Sequence, residues 1–517
     1  MTISKKFTIT LICILSSIAL ADVKLSSMFT DNMVMQQRTN AAVWGWADAG
    51  EKVTVKASWQ KKGQTVKADI DGSWSVKIKT PKAGGPYELE VVGKNAITLK
   101  NVLIGEVWLA SGQSNMEMCL GNQDGWNEGV LDWEKELTQA DNPGLRLYTV
   151  GKITDNIPHK DCQGRWQLSS GKSVGDFSAV AYFFAQKLQK ELNVPVGIIN
   201  CCWSGTGVQA WMSEEMLQSD SDFKQTMERY KTDYADYQRL MVDRGKVIED
   251  WKKACEKAKA DGKEAPGEPR WMPPYATGCY NAMILPVSKY TMKGFIWYQG
   301  EGNTWGGYLY RKLLATMIKG WRDIWGLGDM PFYFVQLANF QAYSSKEPFQ
   351  SSWAELRESQ AYVLRAVKNT GMAVTIDIGD PANVHFRNKK PVGQRLAFWA
   401  LAKDYKKNIP CSGPIYKSIK IKGDSIVLKF DHIEKGLVCK GDKLTGFAIA
   451  GEDEKFVEAE AKIVGNTVVV SSDKIKKPIA IHYGWQDGPM CNLYNSADLP
   501  ASPFRTDSFT PITANNK

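Results

Sequence analysis

Residues 104–118 read IGEVWLASGQSNMEM. The apolar run 107–110 is typical of a buried parallel strand, which ends at Ser111 and Gly112. Ser114 follows where a helix would begin, a position with free backbone N–H groups beside it. A hydrolytic nucleophile needs an accessible oxygen and such donors for the oxyanion. Ser114 is therefore a candidate nucleophile, and the alternative is a helix N-cap without chemistry.

Downstream of this stretch, short apolar runs alternate with segments of helical period. This alternation predicts a parallel sheet with helices on both faces. In such sheets the ligand site lies beyond the carboxyl ends of the strands. The predicted strands are 194–202, 294–298, 332–337 and 372–378, and the predicted helices are 177–192, 308–325, 353–367 and 391–405.

Two regions of alternating apolar and polar residues flank this α/β region. Turn signals divide them into short strands, which predicts β-sandwich-like modules over residues 22–103 and 411–517. The α/β domain between them spans residues 104–410, and a helical insertion rich in Lys, Glu and Asp interrupts it at about 213–269. We expect residues 507–517 to form a loose tail.

The N-terminus has the pattern of a secretory signal peptide. Lys5 and Lys6 precede the apolar run 7–20, and Ala19 and Ala21 supply an A-x-A cleavage site, so residues 1–21 are removed and the mature chain starts at Asp22. The run is too short for a comfortable transmembrane helix, and no later stretch is longer. We expect an exported protein with no membrane segment in its mature form.

Composition excludes several function classes. The formal net charge of +9 is spread along the chain, which argues against a nucleic-acid partner. None of the four histidines pairs with another at the spacing of a zinc site, and no phosphate-binding or dinucleotide motif occurs, so we expect no metal and no cofactor. Cleavage removes Cys13 from the ten cysteines and leaves an odd number, hence at least one free thiol.

Chemically useful residues follow three of the predicted strands. Gly205 follows the predicted strand 194–202, and Gln299 and Asn303 follow the strand 294–298. Asp380 and His385 follow the strand 372–378. Glycine lets a backbone N–H approach a ligand closely, and the two amides could donate to an oxyanion. His385 is the only histidine that follows a strand of this sheet, so it is the candidate general base for the serine.

The sequence resembles the SGNH/GDSL hydrolase superfamily, and within it the sialate O-acetylesterase-like family. The resemblance rests on blocks that span almost the whole mature chain: GEVWLASGQSNM (105–116), PVGIINCCWSGTGVQAW (195–211), FIWYQGEGN (295–303), DIGDPANVH (377–385), NKKPVGQRLA (388–397) and NLYNSADLPASPFRTD (492–507). It implies a flavodoxin-like, three-layer hydrolase domain that removes acetyl groups from sugar hydroxyls without a metal.

The resemblance also implies roles for single residues. Ser114 would be the nucleophile and His385 the base, and an acetyl-serine intermediate would form. The oxyanion donors would be the N–H groups of Ser114 and Gly205 and one side-chain amide, for which Gln299 is preferred over Asn303. The partner would be an O-acetylated glycan or sugar.

Two departures from the family pattern bear on this assignment. The superfamily often places its acid three residues before the histidine, where this chain has Ala382. Asp380 is chosen as the acid because it lies on the same loop, with Asp377 as the alternative and a Ser-His dyad as a third arrangement. Ser204 replaces the first of two glycines that relatives usually carry after the second strand, and it should leave the N–H of Gly205 available.

Three other functions fit parts of the same sequence. An acetylesterase for acetylated xylan or another plant polysaccharide would use the same catalytic residues. A non-catalytic glycan-binding protein would use the two β modules around an inactive hydrolase core, although the serine, histidine and glycines are intact. A lipase-like enzyme would need a long apolar lid, which the sequence does not contain.

Overall fold

The structure is a computed structural model that describes residues 22–123, 125–267, 276–342 and 350–516. The predicted signal peptide, residues 1–21, lies outside the described residues. None of the described helices combines the length and apolar composition needed to cross a membrane.

Strands dominate both ends of the described chain, and helices are concentrated between them. The strands are β1 (Lys24–Leu25), β2 (Val34–Gln36), β3 (Asn40–Trp46), β4 (Lys52–Ala57), β5 (Gln64–Lys67), β6 (Ser73–Lys79), β7 (Gly84–Val92), β8 (Ala96–Gly112), β9 (Asn142–Thr149), β10 (Trp166–Ser169), β11 (Val196–Cys202), β12 (Gly294–Tyr298), β13 (Phe332–Val335), β14 (Thr370–Ala373), β15 (Ile415–Lys422), β16 (Ser425–Asp431), β17 (Leu437–Cys439), β18 (Phe447–Ala450), β19 (Phe456–Glu458), β20 (Glu460–Val464), β21 (Thr467–Ser471), β22 (Ala480–Tyr483), β23 (Leu493–Asn495) and β24 (Phe504–Arg505). The helices are α1 (Ser114–Glu117), α2 (Trp133–Thr138), α3 (Gly171–Gly175), α4 (Ala179–Leu192), α5 (Glu214–Gln218), α6 (Lys224–Val242), α7 (Arg244–Ala260), α8 (Tyr310–Trp325), α9 (Ser352–Ala366) and α10 (Lys390–Lys403).

The central sheet has the strand order β10-β9-β11-β8-β12-β13-β14. Along this order every neighbouring pair from β9 to β14 is parallel, and β10 pairs antiparallel with β9. β8 therefore lies in the middle of the sheet, and its carboxyl end meets the ends of β11 and β12. The α/β class predicted from the alternation of strands and helices is confirmed.

Helices cover both faces of this sheet, and the strand register shows which residues contact the helices on each face. Residues in register across parallel strands share a face, and successive residues on a strand alternate between faces. Trp108 of β8 is in register with Gly294 of β12, and its ring packs edge-on against Phe184 of α4 at a centroid distance of 5.1 Å. Phe295 follows Gly294 and points to the other face, where it contacts Trp321 of α8 at 5.5 Å.

β8 is 17 residues long and belongs to two parts of the molecule. Its first half pairs with β7, its middle residues 103–105 pair with β2, and its second half pairs with β11 and β12. The predicted domain boundary between residues 103 and 104 therefore falls inside a continuous strand. One buried apolar core extends without a break from Val23 to Leu401.

The C-terminal region has an apolar core of its own, which runs from Ile426 to Phe504. Two four-stranded sheets enclose it, in the orders β15-β16-β21-β20 and β19-β18-β22-β24, and β17 pairs with β23. The expectation of a loose tail is wrong. Thr513 is 2% exposed, and its backbone N–H donates to Glu355 of α9 at 2.9 Å, so the described end of the chain is docked on the central region.

The charged segment predicted as helical forms α5, α6 and α7. Met227 is the one buried residue of α6, and α7 has no buried residue, as expected for a solvated excursion. All nine cysteines after Cys13 are free thiols, and Cys201 and Cys202 are buried in the core.

Candidate active site

The end of β8 draws two neighbouring loops toward Ser114. Gly112 has φ of +143°, and a Cβ there would lie 2.0 Å from the carbonyl oxygen of Tyr298, so only glycine fits. The Gly112 carbonyl accepts from the N–H of Trp203 at 3.1 Å, and the Gln113 N–H donates to the Tyr298 carbonyl at 3.0 Å. The loops after β11 and β12 are thereby tied to the residues that precede Ser114.

Ser114 is the first residue of α1, and the N-cap is Gln113. The Gln113 carbonyl accepts from the N–H groups of Met116 and Glu117 at 2.9 Å each. The interpretation of Ser114 as a helix N-cap is therefore wrong. Ser114 is 5% exposed, and within the described parts of the chain neither its backbone N–H nor its Oγ makes a hydrogen bond.

Gln299 contacts Gln113, the neighbour of Ser114, and all hydrogens of its side-chain amide have acceptors. Its Nε2 donates to Gln113 Oε1 at 3.0 Å, to the Thr206 carbonyl at 3.3 Å and to Asn303 Oδ1 at 2.8 Å, while its Oε1 accepts from Tyr310 at 2.8 Å. Gln299 is fully buried at 0% exposure. Its amide therefore holds the loops together and has no hydrogen left for a ligand.

Asn303 keeps a free donor. Its Oδ1 also accepts from the Val208 N–H at 2.9 Å, and its Nδ2 donates one hydrogen to Gln209 Oε1 at 3.0 Å. The second Nδ2 hydrogen has no acceptor among the described residues. Gly205 lies exposed on the loop after β11 with φ of +74°, and its N–H is likewise unpaired within the described chain.

His385 is half-buried on the loop that precedes α10. Its ring packs against Trp126 with 4.7 Å between centroids, and its backbone N–H donates to Asn383 Oδ1 at 2.8 Å. Burial lowers the pKa of the imidazole, the Lys389 cation lowers it further, and Glu117 acts in the opposite direction. Within the described residues the imidazole makes no hydrogen bond, either to Ser114 or to a carboxylate.

Asn115 joins the segment that carries His385 to α1. Its Nδ2 donates to the carbonyl of Val384 at 3.0 Å. The residue after Ser114 therefore holds the residue before His385, and segments far apart in sequence become neighbours.

Asp380 and Asp377, the two candidates for the acid of a triad, both bind residues other than His385. Asp380 is exposed, and its Oδ1 accepts from the N–H of Ala382 at 2.8 Å, which closes a tight turn. Asp377 forms a two-pronged ion pair with Arg395 at 2.6 and 2.7 Å and accepts from Tyr494 at 3.2 Å. Asp377 therefore links the central region to the C-terminal sheets.

Sequence reasoning missed Glu117. Its Oε2 accepts from the N–H and from the Oγ of Ser204, the latter at 2.9 Å, and its other oxygen pairs with Lys152. Glu117 thereby holds the loop that carries Gly205. The spacing could have revealed it, because a residue three positions after Ser114 lies on the same helical turn.

Trp126 and Lys389 were also missed, and no local pattern marks either of them. Trp126 comes from a polar connection before α2, and Lys389 is the N-cap residue of α10. Only the tertiary fold brings both of them to His385. In the described part of the chain, no group of three or more His, Cys, Asp or Glu side chains could hold a metal ion.

Known proteins resemble this chain over most of its length. Residues 104–242 and 245–402 match the family described as carbohydrate esterase, sialic acid-specific acetylesterase. The sialate O-acetylesterase of Rattus norvegicus is 27% identical over 529 residues, which cover 93% of this chain and 94% of the rat protein. That of Homo sapiens is 27% identical over 525 residues, which cover 93% of this chain and 92% of the human protein.

A solved structure agrees with these matches. The crystal structure of a carbohydrate acetylesterase from Xanthomonas citri is 35% identical to this chain and superposes with a TM-score of 0.79. The match covers 94% of this chain and 100% of the other. This chain is therefore an ester hydrolase, and it belongs to the sialic acid-specific acetylesterase family of carbohydrate esterases.

Proposed function

We propose that this protein hydrolyses acetyl esters on sugar hydroxyls through an acetyl-serine intermediate. Ser114 is the nucleophile and His385 the base, and the substrate is an O-acetylated sialic acid or a glycan that carries one. The observation that carries the proposal is the convergence of three loops on Ser114 through Gly112, Gln113 and Asn115.

The oxyanion donors in this proposal are the N–H groups of Ser114 and Gly205 and the free Nδ2 hydrogen of Asn303. This choice reverses the preference for Gln299, whose amide hydrogens already have acceptors inside the core. Each donor of this kind is typically worth about 3–4 kcal/mol of transition-state stabilisation.

The reaction then follows from these positions. Ser114 Oγ attacks the acetyl carbonyl carbon and gives its proton to His385, while the carbonyl oxygen becomes an oxyanion held by the three donors. The C–O bond to the sugar breaks, and the sugar oxygen takes the proton from His385. Water, activated by His385, attacks the acetyl-serine and releases acetate.

We assign the pair as a Ser-His dyad, because the Asp380 carboxylate is exposed and bonded within its own turn. Asp380→Asn should keep kcat within about threefold of the wild type, since an exposed side chain that bonds within its own turn contributes little. A loss near the 10⁴-fold typical of a triad aspartate would instead assign the acid to Asp380.

The test of the function is acetate release from O-acetylated sialic acid, compared with acetylated xylan. Ser114→Ala and His385→Ala should each lower kcat by roughly 10³-fold or more. Ser111→Ala is the matched control, because Ser111 is fully buried three residues earlier and its Oγ has no partner among the described residues. Wild-type rates in either active-site variant would refute the assignment, and release from xylan alone would move the substrate to plant polysaccharide.

The proposal includes the finer architecture and the destination of the protein. We assign an SGNH hydrolase domain to residues 104–410, between β modules at 22–103 and 411–517, supported by a parallel sheet whose central strand leads into Ser114. Export follows the predicted removal of residues 1–21. Amino-terminal sequencing of exported protein should begin at Asp22, and an intact Met1 would contradict cleavage.

A further inference from the structure

Three buried polar side chains near His385 are joined by hydrogen bonds, and two of them, Lys389 and Glu301, have no role in the proposed reaction. Lys389 is fully buried at 0% exposure, and its Nζ donates to Asn115 Oδ1 at 2.8 Å and to the carbonyl of Phe386. Asn115 Nδ2 in turn donates to the carbonyl of Val384 and to Glu301 Oε1. We call Lys389, Asn115 and Glu301 the buried network.

The buried network holds the backbone on both sides of the imidazole. Val384 and Phe386 flank His385, and their carbonyls accept from Asn115 and Lys389 respectively. Lys389 also donates to Asn115, so the two side chains that hold this backbone are hydrogen-bonded to each other. The loop of His385 is thus fixed relative to the residue that follows Ser114.

The buried network lowers the free energy of unfolding relative to an apolar core, and this cost favours a functional reason for it. Burying an ammonium group costs free energy, and an apolar residue of similar size is often at least as stabilising as a buried ion pair. Glu301 Oε2 is buried without a hydrogen-bond partner among the described residues. Burial lowers the pKa of Lys389 to about 7, against the opposing effect of Glu301.

We propose that Lys389 and Asn115 are positioning residues for His385, and this inference rests on the proposed function. They replace the orientation that a triad acid would provide. Their hydrogen bonds set the place of the His385 backbone against α1, and no atom of the buried network needs to touch the substrate.

The charges around His385 give the inference a readout that packing alone would not move. Among the described residues, the Lys389 cation lowers the pKa of His385 and Glu117 raises it, while Glu117 is itself paired with Lys152 and Glu301 raises the pKa of Lys389. The base must be neutral to accept the serine proton. Loss of the Lys389 cation should therefore raise the pKa of His385 and move the acid limb of kcat/KM to higher pH.

The deciding experiment compares Lys389→Met with Lys390→Met. Lys390 is the next residue, but its ammonium lies near the surface and pairs with Glu136 at 2.6 Å, outside the buried network. Lys389→Met should lower kcat by about 10²-fold with KM changed less than about threefold, because a small displacement of the base affects the chemical step. It should also shift the acid limb to higher pH, and Lys390→Met should leave both unchanged.

Glu301→Gln keeps an acceptor for Asn115 and removes the charge that favours protonated Lys389. Glu301→Gln should shift the acid limb of kcat/KM to higher pH by a smaller amount than Lys389→Met. If Lys389→Met does not fold, this shift tests the positioning role instead. An unshifted acid limb in every folded variant overturns the inference. Activity in Ser114→Ala would overturn the proposed function, whereas an inactive Ser114→Ala beside a wild-type-like Lys389→Met would overturn the positioning role alone.

Discussion

At the scale of single residues, the environment of His385 fixes the working pH of the proposed reaction. Burial and the Lys389 cation lower the pKa of the imidazole from its ordinary value of 6.5, and Glu117 offsets part of that effect. Because only neutral His385 accepts a proton, activity should fall as the pH drops through this lowered pKa. We therefore expect the acid limb of kcat/KM to have its midpoint below 6.5.

The measurement is kcat/KM for an acetyl ester across the acid range, with the enzyme shown by circular dichroism to stay folded. Glu117→Gln should move the midpoint further down, since Glu117 is the group that raises this pKa. A midpoint above 6.5 in the wild type would contradict a desolvated base.

Trp126 is a large side chain that remains 43% exposed while its ring lies against His385. An aromatic face beside the base suits the apolar face of a sugar ring. Trp126→Ala should raise KM for an acetylated sugar by about fivefold or more, with ethyl acetate hydrolysis changed much less. Trp59→Ala, in the N-terminal region, is the control, and equal losses on both esters would contradict a role in sugar binding.

At the scale of elements, the turn from β8 to α1 depends on Gly112. A Cβ at this position would meet the Tyr298 carbonyl at 2.0 Å with φ of +143°. Gly112→Ala should lower the free energy of unfolding by more than about 2 kcal/mol. Gly423→Ala is the matched control, because Gly423 has φ of +60° with nothing within 4 Å and should cost only about 1–2 kcal/mol. Urea unfolding measures both, and equal losses would contradict the steric argument.

Sequence patterns predicted where strands occur better than they predicted the hydrogen bonds made where the strands end. The strand predicted at 294–298 is β12 residue for residue, because its apolar run is bounded by glycine and polar residues. The strand predicted at 372–378 ends instead at Ala373, since the Val374 carbonyl accepts from Arg395 of α10 and the chain leaves the sheet. An apolar run records burial, but it does not record which partner takes the hydrogen bonds.

In the candidate site, too, the sequence indicates which residues follow strands but not which hydrogen bonds they make. Ser114, His385 and Gly205 could be proposed from the sequence because each follows a strand end, and strand ends of a parallel sheet meet at one edge. The choice between Gln299 and Asn303 depended on which amide hydrogens were already used, and no sequence pattern carries that information. The docked end of the chain was missed for a similar reason, because its contacts with Glu355 are with a distant helix.

At the scale of the whole molecule, Arg357 joins the central region to the C-terminal sheets. It is fully buried at 0% exposure, and its guanidinium donates to the carbonyls of Leu337, Ala338, Gln486 and Asp487 at 2.6–2.9 Å. Arg357→Met leaves these acceptors unpaired and should lower the free energy of unfolding by about 3 kcal/mol or more.

Arg365→Met provides the matched control, because Arg365 lies exposed on the same helix. Its effect should stay within about 0.5 kcal/mol. Urea unfolding followed by tryptophan fluorescence measures both variants. Similar midpoints for Arg357→Met and the wild type would show that the two regions do not depend on this side chain.

The shared strand β8 has a consequence for how such proteins diversify. Domains joined by a flexible linker can be exchanged by recombination, since a cut in the linker breaks no hydrogen-bonded ladder. A cut at residues 103–104 would sever a strand that pairs with β2 on both sides of this point, with β7 mainly before it, and with β11 and β12 after it. The N-terminal strands therefore cannot be exchanged alone without breaking β8 and disturbing the central sheet.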